Sequence, residues 1–216
     1  MNGSPISPKV QKGAIISFSL PNPVPTIIAF QYNPDNLTRT ITPRWLQDAS
    51  KPEVSRLSGA PEEEIKADIE IDATDALAAG DPIAVENGIH PQLAALEMLV
   101  YPSSAVVIAN TALLLTGTIE VIPPSGPFTL FVWGPKRVVP VKISDLSITE
   151  EMYDPALNPI QAKVSLTMKV LSYNDLSVTH PGYGVFLAHQ VVKEALAHIG
   201  SANGLSQMVS GNIIKI

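Results

Sequence analysis

Alternating apolar and polar positions are the clearest pattern along this chain, and they predict β-strands. At residues 65–71 the odd positions are apolar and the even positions are charged, which is typical of a strand with one solvated face. The same alternation extends over residues 160–170. Between residues 139 and 148 it changes parity near Ser144, and a one-residue slip without a turn indicates a β-bulge. We expect these last two segments to form a long antiparallel hairpin around a loop at 150–159.

Shorter apolar runs, most of them rich in β-branched residues, predict the remaining strands. They span residues 13–20, 26–32, 37–41, 105–108, 112–122 and 128–133. Three prolines between residues 21 and 25 cannot lie inside a sheet ladder, so that segment is predicted to be a turn. The polar stretch 42–61 contains Pro and Gly and is predicted to be a long loop, a class of segment that is often functional.

Three segments are predicted to be helical: 72–79, 90–101 and 183–199. The last of them has apolar residues at three- and four-residue spacing, as an amphipathic helix requires. Together these elements predict a mainly β, α+β fold. We expect three parts along the chain: an N-terminal arm at 1–12, a β-domain at 13–175 that contains the loop 42–61, and a C-terminal helical extension at 176–216.

The composition is poor in charge and rich in proline. Of the 216 residues, 16% are charged and 20 are proline, against averages of about 25% and about 5%. The mean hydropathy of +0.20 excludes a disordered chain, and the net charge of −6 excludes nucleic-acid binding through a basic face. The absence of cysteine excludes disulfides, thiolate nucleophiles and thiolate metal sites.

No targeting or membrane-spanning segment is visible in the sequence. The most apolar run, residues 105–115, is interrupted by Asn110 and Thr111 and is shorter than the roughly 20 residues that a spanning helix needs. Residues 1–9 lack the apolar stretch of a secretory signal. We therefore expect a soluble protein, made in the cytoplasm without a signal peptide and not inserted directly into a membrane. Because charges are sparse, we also expect partner proteins to cover part of its apolar surface.

The four histidines do not predict a metal site. His180, His189 and His198 are spaced nine residues apart, which places the last two on opposite sides of one helix. His90 stands alone beside a proline. Since a metal site needs several ligands that converge on one point, all four are interpreted as structural or surface residues.

The carboxylates also have ordinary interpretations. Residues Glu62 to Glu64 are interpreted as a solvated run before a strand, or as its first acidic turn. Asp72 and Asp75 lie at a predicted helix start, where the helix dipole favours negative charge, and Glu150 lies near a strand end. No nucleophile elbow, phosphate-binding glycine loop or paired-histidine motif is present. We predict no catalytic residue, no cofactor, no metal and no enzymatic activity.

Three motifs, in this order, resemble the contractile injection system (phage-tail-like) tube protein family. The first joins an apolar strand to an Asn-Pro turn and a Leu-Thr strand, the second is a Trp-Gly strand end, and the third is a loop that leads into a long amphipathic strand. The motif residues are Phe30, Gln31, Tyr32, Asn33, Pro34, Leu37, Trp133, Gly134, Tyr153, Pro155, Asn158 and Pro159. The resemblance covers residues 14–172, most of the chain.

The resemblance implies a fold, a role and partners. The fold would be an antiparallel tail-tube-like β-barrel or sandwich with a flanking helix. The chain would be a structural subunit of the baseplate, forming a homohexameric ring that joins the spike to the inner tube and initiates tube assembly. Its partners would be further copies of itself, the spike protein, and inner-tube and other baseplate subunits. The particle would remain in the bacterial cytoplasm or be released by lysis, and the hairpin would contact the next ring.

Several alternatives stay open at this point. Many spike adaptors of this kind carry a C-terminal LysM module, whereas residues beyond 172 predict a helix and a short tail, so peptidoglycan binding is not expected. Within the family, the alternative role is the main inner-tube subunit. Outside it, the alternative is a monomeric β-barrel carrier for an apolar small ligand, and an enzyme ranks third.

Overall fold

The computed structural model describes residues 11–19, 24–46, 56–115, 117 and 126–210, with side chains described as far as residue 202. It contains seven strands: β1 (Ala14–Phe18), β2 (Thr26–Ala29), β3 (Leu37–Thr42), β4 (Glu62–Asp72), β5 (Phe128–Val132), β6 (Val138–Tyr153) and β7 (Pro159–Val170). The helices are α1 (Thr74–Ala78), α2 (Pro82–Asn87), α3 (His90–Glu97), α4 (Ser104–Leu115) and α5 (Pro181–Ser210). The predicted class, mainly β and α+β, is confirmed.

All seven strands belong to one antiparallel sheet, in the order β2-β1-β5-β6-β7-β4-β3. The β6 and β7 strands form the expected long hairpin, and both are more than ten residues long. The register shifts between Ile143 and Asp145, where the change of parity predicts a bulge. The β6 strand continues to Tyr153, four residues into the segment that the sequence predicts to be a loop.

The sheet is open, whereas the expectation was a closed barrel or a two-sheet sandwich. Its two end strands, β2 and β3, are not paired with each other in the described part of the chain. One contact nevertheless connects the region of β2 with β4: Gln31, two residues after β2, exchanges two hydrogen bonds with the backbone of Asp72 at the end of β4, at 2.7 and 2.9 Å. Beside this contact, a gap remains between β2 and β4.

The core lies on the concave face of this sheet, under α3 and α5. Apolar side chains alternate into it along β4 and β7, as the period of a half-buried strand requires. From the helices it receives Ile89, Leu93, Leu96 and Phe186, which are all buried. The largest fully buried side chains of the strands are Ile15, Ile65, Phe131, Leu166 and Met168.

The predicted strands at 105–108 and 112–122 are wrong where the structure describes them. Residues Ser104–Leu115 form a helix, and residues 116 and 118–122 of the second prediction lie outside the described residues. Short apolar runs do not distinguish a strand from a helix by periodicity. Here the run continues for more than ten residues without a proline or glycine, and the apolar residues follow no two-residue period.

Three smaller differences from the sequence predictions concern an additional helix, the length of α5 and a bridge within the predicted loop. The short α2 helix, which the sequence analysis did not predict, begins with Pro82 after an Asp81 N-cap that accepts bonds from two backbone amides. Helix α5 is longer than the predicted 183–199. In the predicted loop 42–61, Trp45 pairs with Leu57 as an isolated bridge, and residues 47–55 lie outside the described residues, as do 1–10 of the predicted arm. No helix in the described ranges combines the length and apolar character needed to cross a bilayer.

Candidate assembly interface

The first family-motif residue, Phe30, belongs to an aromatic cluster at the end of β1, β2 and β5. Its ring lies 6.4 Å from the rings of both Phe131 and Trp133, and the latter two are stacked at 6.0 Å. Gly13 lies against this cluster, where an added Cβ would come within 2.6 Å of the Trp133 ring and 2.8 Å of Phe30. The position therefore requires a residue without a side chain.

Two polar residues of the same motif, Gln31 and Asn33, form side-chain hydrogen bonds with backbone groups near this cluster. The Gln31 amide both donates to and accepts from the backbone of Asp72, so it makes the two bonds that a paired strand residue would make. The Asn33 side chain accepts a bond from the Gly13 amide and donates one to the Gln11 carbonyl, both at 2.8 Å. These side chains act within the chain and hold the turn between β2 and β3.

The remaining residues of the first two motifs have simpler positions. Leu37 packs against the core at the start of β3, Pro34 is half-buried and Tyr32 is exposed. Gly134 has a φ of +71° and begins the turn between β5 and β6. That turn is closed by a bond of 2.7 Å from the Trp133 amide to the Arg137 carbonyl.

The third motif forms the turn of the β6–β7 hairpin and is organised by Asp154. Its carboxylate accepts bonds from the side chain and backbone of Asn158 and from the Ala156 amide, at 2.7–2.8 Å. These bonds, first of all the one from the Asn158 side chain, hold the pKa of Asp154 below its usual value. Tyr153 and Pro155 are exposed on either side of it.

The hairpin turn is anchored to the helices. The Pro159 carbonyl accepts a bond of 2.9 Å from the Ile89 amide, and the Asn158 side chain donates to the Glu86 carbonyl. The third motif thus contacts the segment that joins α2 to α3. The first two motifs are brought together by the aromatic cluster, whereas the third lies apart from that cluster.

One face of the sheet section β3-β4-β7-β6 is entirely polar. It comprises Thr38, Thr40, Thr42, Glu64, Lys66, Asp68, Glu70, Lys163, Ser165, Thr167, Lys169, Asp145, Ser147, Thr149 and Glu151. Neighbouring strands are linked across this polar face, for example by Ser165 and Asp68 at 2.6 Å and by Lys163 and Glu151 at 2.9 Å. The face consists of hydroxyls and of charges of both signs.

The same section has two open strand edges. The β5 strand pairs with β6 only over residues 138–141, so the outer edge of β6 from 142 to 153 has no partner strand in the described part of the chain. The outer edge of β3, residues Leu37–Thr42, is likewise unpaired there. Unpaired backbone donors and acceptors along a strand can bind a further strand. Because the order is antiparallel throughout, β3 and β6 run in opposite directions.

Helix α4 presents apolar side chains to solvent. It contains no charged residue, and none of its residues is buried. Ile108 is 68% exposed and Leu115 is 84% exposed, and Val107, Leu113 and Leu114 are also exposed. A contiguous apolar surface on a folded domain is typical of an interaction site.

A groove of about 600 Å³ lies in the gap between β2 and β4. Helices α2 and α3 form its other wall, and its lining is mainly apolar, with Ile27, Ile71, Ile83 and Pro91 among the contributing residues. The outer edge of β2, which has no partner strand among the described residues, lies along it. Residues Phe30 and Gln31 of the first family motif also line this groove.

A compact charged cluster lies between α5 and the rim of the sheet. Glu63 is only 6% exposed. Its carboxylate forms ion pairs with Arg39 at 2.6 Å and with Lys193 at 3.1 Å. Burial acts to raise the Glu63 pKa, but the bonds from Arg39 and Lys193 outweigh it and hold that pKa below the usual value. The sequence interpretation of residues 62–64 as a solvated run is wrong here, since Glu63 lies inside β4 and on its buried face.

His189 and Arg137 also belong to this cluster, because the charges of Glu63 and Arg39 act on both of them. His189 is 7% exposed, and its Nδ1 atom is buried without a hydrogen-bond partner. Burial, followed by the positive charge of Lys193, lowers the His189 pKa. Arg137 is partly buried and is acted on by Arg39 and Glu63. Their clustering could not be inferred from the sequence, because the five residues come from four separate elements.

Comparison with known proteins does not add an identification: no protein-family model matches the chain, and no curated protein matches it. Within the described ranges, no three His, Asp or Glu side chains converge in a group that could hold a metal ion. The function therefore has to be argued from the geometry and from the motif order.

Proposed function

We propose that this protein is a structural subunit of a contractile injection system baseplate. In this role it forms a ring that joins the spike to the inner tube and initiates tube assembly.

The ring consists of copies of this chain. The family resemblance of the motifs implies six copies. The observation that carries the proposal is the section β3-β4-β7-β6, which combines a polar face with two open edges.

The open edges support assembly into a ring. If the β3 edge of one copy pairs with the β6 edge of the next, the strands meet antiparallel, because β3 and β6 run in opposite directions. The contact is head-to-tail, since different surfaces of the two copies meet, and head-to-tail contacts produce rings when the rotation closes. Closure also removes the open edges, which would otherwise favour aggregation.

The polar face supports a water-filled channel inside this ring. The core and the helices α3 and α5 lie on the opposite face of the sheet, so the side that remains free to line a channel carries only hydroxyls and charges. Because those charges are of both signs and partly paired, the lining would not present a strong field of one sign to a passing molecule.

The exposed helix α4 supports contacts beyond the strand edges. An uncharged helix with Ile108 and Leu115 largely exposed is suited to burial in a permanent interface, whose centre is depleted in charged residues. The sparse charge of the whole chain is consistent with the same use.

Engineered cysteines test the edge pairing, because the chain has no cysteine of its own. One cysteine is placed on β3 at Thr38, Thr40 or Thr42, and the other on β6 as Thr149→Cys; all four positions are exposed. A disulfide needs Cα atoms about 4.4–6.8 Å apart, so at least one of the three pairs should link copies covalently under mild oxidation. Denaturing gels should then show a ladder that ends at the size of the ring.

The controls separate edge pairing from random collision. Each single variant should give no ladder beyond a dimer. The pair Thr40→Cys with Ala78→Cys, whose second site is exposed on α1, should also give none. A chain that remains monomeric by native mass spectrometry, both alone and with spike and tube proteins, would contradict the proposal.

The place within the particle is a separate question from ring formation. We propose the position between the spike and the inner tube, with the main inner-tube subunit as the alternative role. Co-purification with sheath, spike and tube proteins, followed by imaging of labelled particles, distinguishes them: a single ring at the spike end supports the proposal, and repetition along the tube supports the alternative.

One observation favours a second candidate function, a monomeric carrier of an apolar small ligand. The groove beside β2 has a suitable volume, about 600 Å³, and a mainly apolar lining. Titration with an apolar fluorescent probe tests it. Saturable binding to a monomer, abolished by Ile71→Asp and retained in Val178→Asp at an exposed site, would favour the carrier.

A further inference from the structure

The charged cluster between α5 and the sheet contains more positive charge than the chain itself neutralises. Three cations, Arg39, Arg137 and Lys193, face the one carboxylate of Glu63. Glu63 is also the carboxylate that acts on Arg137 and on His189. With His189 neutral, the cluster keeps a surplus of two positive charges, inside a chain whose net charge is −6.

Several donors in the cluster have no acceptor. Both Arg39 contacts, from Nε and Nη2, go to a single oxygen of Glu63, and Lys193 gives one bond to the other oxygen. The Arg137 guanidinium makes no hydrogen bond or ion pair with any described residue, although it is partly buried. The guanidinium keeps some contact with solvent, and its five donors suit the oxygens of a carboxylate or phosphate.

His189 is an independent sign of a missing partner. Its side chain is more than nine-tenths buried, and the Nδ1 atom is buried without a partner. The charges that face the imidazole are Lys193 on its own helix, Glu63 on β4, Arg39 on β3 and Arg137 before β6. An anion at this point would receive donors from several elements at once.

We propose that Arg39, Arg137, Lys193 and His189 form an anion-binding site for a single carboxylate or phosphate group. Glu63 holds Arg39 and Lys193 in place, and Arg137 is the cation left free for the ligand. Access is available from the solvent side, where the Lys193 side chain is 41% exposed. The inference does not depend on the proposed function.

The anionic group can come from two sources that share this chemistry. It is either a free small anion or the side-chain carboxylate of a neighbouring copy, which the acidic composition supplies in excess. A free anion would stabilise the folded chain without changing its state of association. A carboxylate from a neighbouring copy would instead be displaced by added phosphate.

The test is a titration of the full chain with inorganic phosphate at constant ionic strength, with sodium chloride as the balancing salt. Thermal unfolding and sedimentation velocity are measured together. A saturable rise in melting temperature at unchanged sedimentation identifies the free anion as the ligand, because a ligand that binds only the folded state stabilises it. A phosphate-dependent shift to smaller species identifies the neighbouring carboxylate.

Two variants make the test specific. Arg137→Gln should weaken the phosphate response by about tenfold or more, since it removes charge-assisted bonds. Lys136→Gln removes one exposed cation from the adjacent position and should leave the response unchanged. The proposal is overturned if phosphate acts no differently from chloride, or if both variants respond as the unaltered chain does.

A measurement on the unaltered chain avoids any effect of the variants on folding. Phosphate should shift the ring proton signals of His189 in the NMR spectrum, with the signals assigned by their loss in His189→Gln. The signals of His90, which is exposed on α3, should not follow the same saturation curve. Unchanged His189 signals at saturating phosphate, together with unchanged sedimentation, would count against the site.

Discussion

At the scale of single residues, Glu63 joins three elements through its carboxylate. It lies on the buried face of β4, and its two oxygens bind Arg39 of β3 and Lys193 of α5. Because the bonds outweigh the burial, the Glu63 pKa is lower in the folded state than in the unfolded chain. A carboxyl group with a depressed folded pKa stabilises the fold above its unfolded pKa, and this contribution is lost as the pH falls through the folded value.

We therefore predict that Glu63→Gln changes the acid sensitivity of the protein. At neutral pH the variant should lose about 2 kcal/mol of unfolding free energy, since two cations lose their carboxylate partner. Below the ordinary glutamate pKa of 4.5 the difference should shrink, because protonation removes the same interaction from the unaltered chain. Urea denaturation at a series of pH values measures both effects.

The matched control for this prediction is Glu97→Gln, which removes a carboxylate that is exposed on α3 and has no ion pair among the described residues. Its unfolding free energy should follow that of the unaltered chain at every pH. If the Glu63→Gln curve stays parallel to that of the unaltered chain down to pH values well below 4.5, the ion pairs do not couple to folding as described.

The sequence predicted some residues of the candidate site much better than others. The motif Phe30 to Asn33 is recognisable as a unit in the sequence, and the structure gives Phe30 an aromatic contact and Gln31 and Asn33 backbone contacts, while its role in a site stays a prediction. The Glu63 cluster was missed. Its members are far apart in sequence, so only the packing of α5 on the sheet brings them together.

At the scale of elements, the sequence predicted strands best where one face is buried and the other is solvated. Such strands alternate with a period of two, so both the β6–β7 hairpin and its bulge could be recognised. Helix α4 could not, because its apolar residues lie on all sides and none is buried within the chain. Without a buried side, the helix has no amphipathic period by which its sequence could be recognised.

The bulge in β6 gives a prediction at this scale. Deleting Ser144 should leave Leu146 and Ile148 on the buried face, because Ile143 already pairs with Met168 and Asp145 with Thr167, and without the extra residue the side chains alternate regularly. Since these two residues keep their packing against the core, the deletion should cost about 1 kcal/mol or less, well below the roughly 1.5–3 kcal/mol expected for each apolar side chain that a change of face would expose. Thermal unfolding measures the loss.

The control for the deletion keeps the chain length. Ser144→Ala removes only the bond of 3.0 Å from the Ser144 hydroxyl to the Thr167 carbonyl, and it should cost about 1 kcal/mol or less. A deletion that costs several kcal/mol more than this substitution would show that Leu146 and Ile148 change face, and that Ser144 is not the extra residue of the bulge.

At the scale of the whole molecule, two kinds of surface stay exposed after folding: unpaired strand edges and apolar side chains. The outer edges of β3 and β6 are unpaired in the described chain, and α4 exposes apolar side chains. The low charge content predicts that partners cover apolar surface, but composition has no spatial information and could not indicate which surface is covered. The two features make different predictions about assembly, since one buries backbone amides and the other buries side chains.

Hydrogen exchange of the backbone amides distinguishes these two contacts during assembly. If the edges pair, amides of β3 and of residues 142–153 that point outward should become protected in the assembled protein, because each gains a hydrogen-bond acceptor. Amides of β1, which already pairs on both sides with β2 and β5, should change little and serve as the internal control. Protection confined to the region of α4, with unchanged exchange at both edges, would show that the copies associate through the helix and that the edge-paired ring is wrong.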